Sequence, residues 1–430
     1  MRRSLVLAAG VSALMLVVAA CSSSTGGATQ SDPAGKVELT YWSWVPNMDK
    51  TVAKWNATHP DIQVKVNAVP GGKGGTYAKL FAALKAGNAP DLAQVEFDYL
   101  PNFIQQGGAE DITAYVGSAK SKFVGWTWPQ VAPDGKHVYA VPQDTGPMAL
   151  LYRKDLFDKA GIARPPATWQ EFSQDAAVLA ADHVAITTFP TNQSDWFAGL
   201  AWQKGARWFD IKGDKWQVSL TDPASEQVAE YWQKLIDAKQ AKADQFFGDQ
   251  WTNDLTTGKV ASWITGAWGP ATLSKLTPQQ AGMWAVAPLP QWTANDHLTG
   301  NWGGSTVAVM KGAKNPKAAA EFALWLNSAP EAVESLVADG GLYPAVADPG
   351  SIKALSAPQQ FWGQQSPMTP FGAQTLNTDW RWGPTMSETF TALNDATGTV
   401  GVSGTVVNAL AAAQAKTVDA MKKQGFPVAQ

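Results

Sequence analysis

From Val37 onward, short apolar runs alternate with stretches whose apolar positions recur every three or four residues, and this continues along most of the chain. Val37-Glu38-Leu39-Thr40-Tyr41 alternates with period two, which predicts a half-buried strand, and Met48 to Thr58 predicts a helix closing before Pro60. Ile62 to Val66 reads as a second strand. Tyr77, Leu80, Phe81 and Leu84 then share one helical face before Gly87, and Asp91 to Val95 gives a third strand. A second series begins near Tyr139. Strands are predicted around Val138–Pro142, Met148–Tyr152, Val184–Phe189, Val260–Ile264 and Trp284–Ala287, with helices around Thr168–Asp182 and Pro223–Lys239. Ser305–Met310 adds a strand, Pro316–Asn327 a helix, and Gly401–Lys423 a long Ala-rich helix. Strands interleaved with amphipathic helices indicate an α/β architecture with largely parallel sheets. No self-similarity at the spacing of solenoid or propeller repeats is visible.

The first residues follow a different pattern. Arg2 and Arg3 precede an apolar run from Leu5 to Ala20, shorter than the ~20 residues that cross a bilayer as a helix and suited to the core of a secretory signal. The run ends in Val18-Ala19-Ala20-Cys21, which resembles the lipobox of bacterial lipoproteins, where the cysteine is diacylated and becomes the mature N-terminus. Cys21 is the only cysteine in the chain. Two acyl chains anchor stably where one is marginal. The expected organisation is a signal peptide over 1–20, a flexible Ser/Thr/Gly tether over 21–35 and a body held outside the cytoplasm, lipid-anchored to the cell membrane at Cys21.

Composition narrows the function of that body. Of 430 residues, 45% are hydrophobic and 16% charged, which describes a folding chain. The formal charge of −3, without a block of like charges, leaves no footprint for nucleic acid. One cysteine excludes a disulfide framework, and His59, His137, His183 and His297 form no metal-binding pair, so neither metal nor cofactor is expected. No GxSxG elbow is present. Gly71-Gly72-Lys73-Gly74-Gly75 has neither phosphate-loop order nor dinucleotide spacing and reads as a loop before a helix. What stands out is 21 tryptophans. Many adjoin Gly, Pro, Asn or Asp at predicted strand ends, as in Trp42-Ser43-Trp44, Trp126-Thr127-Trp128, Trp268-Gly269-Pro270, Asn301-Trp302-Gly303-Gly304 and Asp379-Trp380-Arg381-Trp382-Gly383. Strand-end loops are where α/β proteins bind ligands. A flat indole suits the C–H face of a pyranose, and neighbouring Asp, Asn and Arg suit its hydroxyls, so the composition points to sugar. Most tryptophans are expected in the core. A pair of carboxylates such as Glu96 and Asp98 leaves a glycosidase open as an alternative.

These segments carry a resemblance over nearly the whole chain. Leu39-Thr40-Tyr41-Trp42-Ser43-Trp44, His59-Pro60-Asp61-Ile62, Ala86-Gly87-Asn88-Ala89-Pro90-Asp91-Leu92, Tyr139-Ala140-Val141-Pro142-Gln143-Asp144, Leu156-Phe157-Asp158-Lys159-Ala160-Gly161-Ile162, Pro166-Ala167-Thr168-Trp169-Gln170-Glu171-Phe172 and Ala319-Ala320-Glu321-Phe322-Ala323-Leu324-Trp325-Leu326 stand in order behind a lipobox. The set resembles the extracellular solute-binding lipoproteins of family 1, the carbohydrate-binding components of ABC importers. The resemblance implies a two-lobed, type II periplasmic-binding-protein-like fold with several crossover segments. Lobe 1 would comprise 36–143 and 304–345, and lobe 2 would comprise 144–303 and 346–430, closing on a mono- or oligosaccharide. It implies a monomer without catalytic residues that partners ABC permease subunits, with a sensory receptor as the alternative partner. Trp268 is the residue expected to stack a sugar ring. Trp302 and Trp380 come next, with Arg381 as a donor to hydroxyls, Trp44, Asp98 and Tyr99 on the first-lobe side, Asp144 at the hinge, and Trp196 beyond it. Asp98 has a competing role as a helix cap and Asp144 as a hinge hydrogen-bonding group.

Overall fold

The computed structural model describes residues 35–376 and 380–429, so Cys21, the apolar run before it and the tether up to residue 34 lie outside the described residues. Strand β1 (Val37–Ser43) buries Leu39, Tyr41 and Ser43 on alternate positions, as its sequence pattern requires. It pairs in parallel with β2 (Ile62–Ala68) from Val37 opposite Ile62 to Ser43 opposite Ala68, and on its other edge with β3 (Leu92–Glu96). Helix α1 (Met48–Thr58) connects β1 to β2 and presses Met48, Thr51, Val52 and Trp55 inward. Helix α2 (Thr76–Ala86) connects β2 to β3 and stops at Gly87, which takes the left-handed conformation with φ 71°.

The strands predicted at 138–142 and 148–152 are one strand, β4 (Ala140–Arg153), buried along nearly its whole length. Its first half pairs antiparallel with the strand Asn301–Val309, which itself returns antiparallel to β3 through Ser305 opposite Glu96. Its second half pairs antiparallel with Ser262–Gly266 on one side and Trp284–Pro288 on the other. One strand therefore belongs to two arrays. The expectation of largely parallel sheets holds for β1, β2 and β3 and fails for β4 and the strands it pairs with, because period and length do not encode strand direction.

The crossing in the middle of β4 is tight. A Cβ on Gly146 would stand 2.0 Å from the carbonyl oxygen of Trp302, so only glycine lets the two backbones approach there. Beyond the crossing, helices Trp169–Ala181, Ser194–Lys204 and Pro223–Asp237 pack around a parallel pair, Thr187–Pro190 with Ala241–Asp244. Thr168 and Asp222 cap two of these helices through side-chain oxygens that accept from Glu171 N and Ser225 N. The C-terminal segment folds as two helices, Met386–Thr397 and Val406–Lys423; the first was not predicted, and the second starts later than expected because Thr405 caps it. Trp169, Trp196, Trp202, Trp208, Trp232, Trp251 and Trp263 are among the largest fully buried side chains. Trp42, Trp44, Trp216, Trp268, Trp292 and Trp325 keep partial exposure, and the other tryptophans are buried. Among the described residues no helix is long and apolar enough to cross a membrane.

Candidate functional site

The ends of β1 and β3 meet the crossing of β4 with 301–309, and a cavity of about 320 Å³ opens there, within the usual size of a small-molecule site. Trp44 follows β1, Gln94 and Glu96 close β3, Asp144 sits in the middle of β4, and Trp268 follows the strand Ser262–Gly266; all five line the cavity, as do Lys275 and Ser305. Trp268 is half-buried and fixed. Its indole N–H donates to the Trp302 carbonyl at 3.1 Å, and its ring meets that of Trp302 edge-on at 4.7 Å. Trp44 is braced by Tyr77, edge-on at 6.2 Å.

A hydrogen-bond chain fixes the polar floor. Ser43 Oγ donates to Gln94 Oε1 at 2.9 Å, Gln94 Nε2 donates to Ser305 Oγ at 2.9 Å, and the Ser305 hydroxyl and backbone N–H both donate to Asp144 Oδ1. Burial pushes the Asp144 carboxyl up to about 6, although the two bonds from Ser305 pull it down.

Beside this floor lies a cluster built on Lys73. Its ammonium is 2.6 Å from Asp195, 2.8 Å from Asp98 and 3.6 Å from Glu96, and stands over the rings of Tyr99 at 5.5 Å and Phe390 at 5.2 Å. Burial alone would depress Lys73, but Asp195, Asp98 and Glu96 hold it well above the usual lysine range. Glu96 is pushed up to about 7 by burial and by Asp98 and Asp195, against the pull of Lys73. Asp98 is raised chiefly by burial, with Lys73 opposing. Tyr77 donates its hydroxyl to Glu96 Oε2 at 2.9 Å and stacks on Tyr99 at 4.5 Å. Tyr99 itself is raised to about 12, mainly by burial. Glu96 belongs to both the cavity wall and the cluster, so the two are continuous.

The description of bacterial extracellular solute-binding proteins as a family matches this chain over residues 41–333, well over half its length. The chain belongs to that family. The solved galacto-N-biose/lacto-N-biose I-binding protein of the ABC transporter from Bifidobacterium longum, in complex with lacto-N-biose, is similar at 31% identity with a TM-score of 0.81, covering 93% of this chain and 100% of that one. The arabinooligosaccharide-binding protein of Bacillus subtilis is 25% identical over 360 residues, 81% of each chain. The diacetylchitobiose binding protein of Streptomyces coelicolor is 27% identical over 338 residues, 75% of this chain and 77% of its own. The architecture is the two-lobed, type II periplasmic-binding-protein fold. This solute-binding protein is not an enzyme, and the glycosidase alternative falls with the family assignment.

The expected site residues divide into groups. Trp44, Asp144 and Trp268 line the cavity of the solute-binding protein, and Asp98 and Tyr99 join it through Lys73. Asp98 does not cap a helix; α3 (Leu100–Gln105) starts after Tyr99 without a side-chain cap. Trp302 is buried behind Trp268 and supports it. Trp196 is fully buried, edge-on to Trp232 at 5.1 Å and donating to the Ile264 carbonyl at 3.0 Å. The residue beside it, Asp195, is the one that reaches Lys73. Trp380 and Arg381 line a different cavity, with Trp380 flat on Trp202 at 5.1 Å. Lys73, Gln94, Asp195 and Ser305 were not anticipated. The one signal for Lys73 was its isolation among four glycines, which form a 3-10 turn at Gly72–Gly74 that presents its side chain to the carboxylates.

Proposed function

We propose that this solute-binding protein captures a carbohydrate against Trp268 and Trp44 and delivers it to the permease subunits of an ABC importer. The observation that carries the reading is Trp268: a partly exposed indole, locked by its bond to Trp302, on a cavity that also presents the amide of Gln94, the hydroxyl of Ser305 and the carboxylates of Glu96 and Asp144. Flat aromatic area beside fixed polar groups is what a pyranose requires. The sugar-binding relatives support the same conclusion.

In this reading the body is a monomer whose lobes comprise 36–143 with 304–345 and 144–303 with 346–430, so the chain crosses where β4 meets 301–309. A sugar contacting both lobes favours the closed state by its differential affinity. Diacylation at Cys21 holds the protein outside the cytoplasm, and the tether to residue 35 lets the body reach the permease.

The test is isothermal titration and thermal melting of the body starting at Ser22 against mono-, di- and trisaccharides, polyols and glycerophosphodiesters. One sugar class is expected to bind saturably and be recovered intact. At 100 times the dissociation constant it stabilises by about 2.7 kcal/mol. Trp268→Ala is expected to weaken that binding at least a hundredfold; unchanged affinity removes Trp268 from the site, and silence across all sugars overturns the carbohydrate assignment.

A further inference from the structure

Away from the segments where the chain crosses between the lobes proposed above, side chains assigned to one lobe bond to groups assigned to the other. Asn102 Nδ2 on α3 donates to Ser387 Oγ at 3.0 Å, Gln105 Nε2 donates to Gln424 Oε1 at 2.9 Å, and Gln130 Nε2 donates to the Trp380 carbonyl at 3.0 Å. These three contacts are neutral. The contact at Lys73 is ionic. Lys73, Glu96 and Asp98 fall in lobe 1, whereas Asp195, 2.6 Å from the ammonium, stands at the start of helix Ser194–Lys204 in lobe 2. The same ammonium lies over a ring from each side, Tyr99 of lobe 1 and Phe390 of lobe 2.

The turn that carries Lys73 is fixed. A Cβ on Gly72 would lie 2.1 Å from the Tyr77 ring, so glycine lets the turn Gly72–Gly74 settle on that ring. Thr76 Oγ1 donates to the Pro70 carbonyl at 2.6 Å and closes the turn from the other side. The side chains of Asp98, Asp195 and Glu96 are 8%, 11% and 19% exposed, so water screens their charges poorly. Without an ammonium between them, closing the lobes brings Asp195 against Glu96 and Asp98, and like charges oppose the approach. With it, the same approach is attractive. One lysine reverses the sign of the force between the lobes.

We propose that Lys73 is a positioning residue for capture: a counter-ion carried by lobe 1 whose bond to Asp195 draws the lobes together and sets the fraction of empty protein that is closed. Cargo then meets a protein in which part of the closing is done, and its affinity follows that fraction. This rests on the lobe division above and not on the identity of the cargo.

The test is the distance between two spin labels, one on each lobe, in the cargo-free Ser22 body, which has no cysteine of its own to compete with the two introduced for labelling. Wild type is expected to populate a short, closed distance. Lys73→Arg should keep it, and Lys73→Met should lower the ratio of closed to open protein at least about tenfold. Asp195→Asn tests the mechanism. In the wild-type background it removes an attraction and should lower the ratio; in Lys73→Met it removes a repulsion and should raise the ratio again. The same sign in both backgrounds, an unchanged ratio in Lys73→Met, or a wild type open throughout overturns the counter-ion. Cooperative melting shows which variants fold; if Lys73→Met does not, Asp195→Asn alone decides, and an unchanged ratio there overturns the proposal. Two labels both on lobe 1 should hold their distance in every variant, and movement between them would instead overturn the lobe division, and the counter-ion with it.

Discussion

At Lys73 one positive charge serves three carboxylates, so the cluster carries excess negative charge that only protonation relieves. Glu96, raised from an ordinary 4.5 to about 7, takes up a proton together with Asp98, which burial raises as well. A carboxyl whose folded pKa exceeds its unfolded value binds its proton more tightly when folded. The stability it contributes is therefore complete below about 4.5 and lost as pH rises through about 7. Melting temperature is expected to fall across that window, and Glu96→Gln, neutral at every pH, should flatten much of the slope; an unaltered slope would place the titration elsewhere. Lys73→Met strands the carboxylates. Because the ammonium is partly exposed, we expect a loss of about 1–3 kcal/mol in urea denaturation, below the roughly 3–5 kcal/mol of a fully buried pair, growing toward alkaline pH. No change at pH 8 would mean that solvent screens the cluster. Little of this was legible beforehand. A strand-end tryptophan such as Trp268 announces itself by its neighbours, whereas the role of Asp195 depends on a lysine 122 residues away in sequence.

At the scale of elements, the local pattern located most strands and helices but not their directions or joins. Periodicity reports which face is buried, and β4, buried on both faces, looked like two short runs because Asp144, Thr145, Gly146 and Pro147 interrupt the apolar sequence. The same limit explains Trp196 and Trp302. Both adjoin loop-forming residues, yet helix Ser194–Lys204 is buried from Ser194 to Gln203 and the strand Asn301–Val309 is buried at every position but Gly303, so a ring on either element faces the core. The crossing itself yields a sharp expectation. Gly146→Ala places a methyl group against the Trp302 carbonyl, so the strands must part, and the cost should reach or exceed the 1–3 kcal/mol of ordinary overpacking. A urea midpoint matching wild type would show that the crossing relaxes freely.

Across the whole molecule, the fold class was the most legible feature, because many weak segments in fixed order sum to a strong signal where each alone says little. The number of tryptophans was equally plain, but their division between core and cavity required the third dimension. That division also gives the protein an optical property. The rings of Trp251 and Trp263 lie 5.2 Å apart, Trp263 and Trp268 5.6 Å, and Trp268 and Trp302 4.7 Å. At such separations excited indoles exchange energy before emitting, and Trp268, the one of these four that keeps partial exposure, is expected to emit at the longest wavelength and so to collect it. The buried indoles behind the cavity act as an antenna for the one that faces it, so a molecule settling on Trp268 changes the light emitted by the whole group.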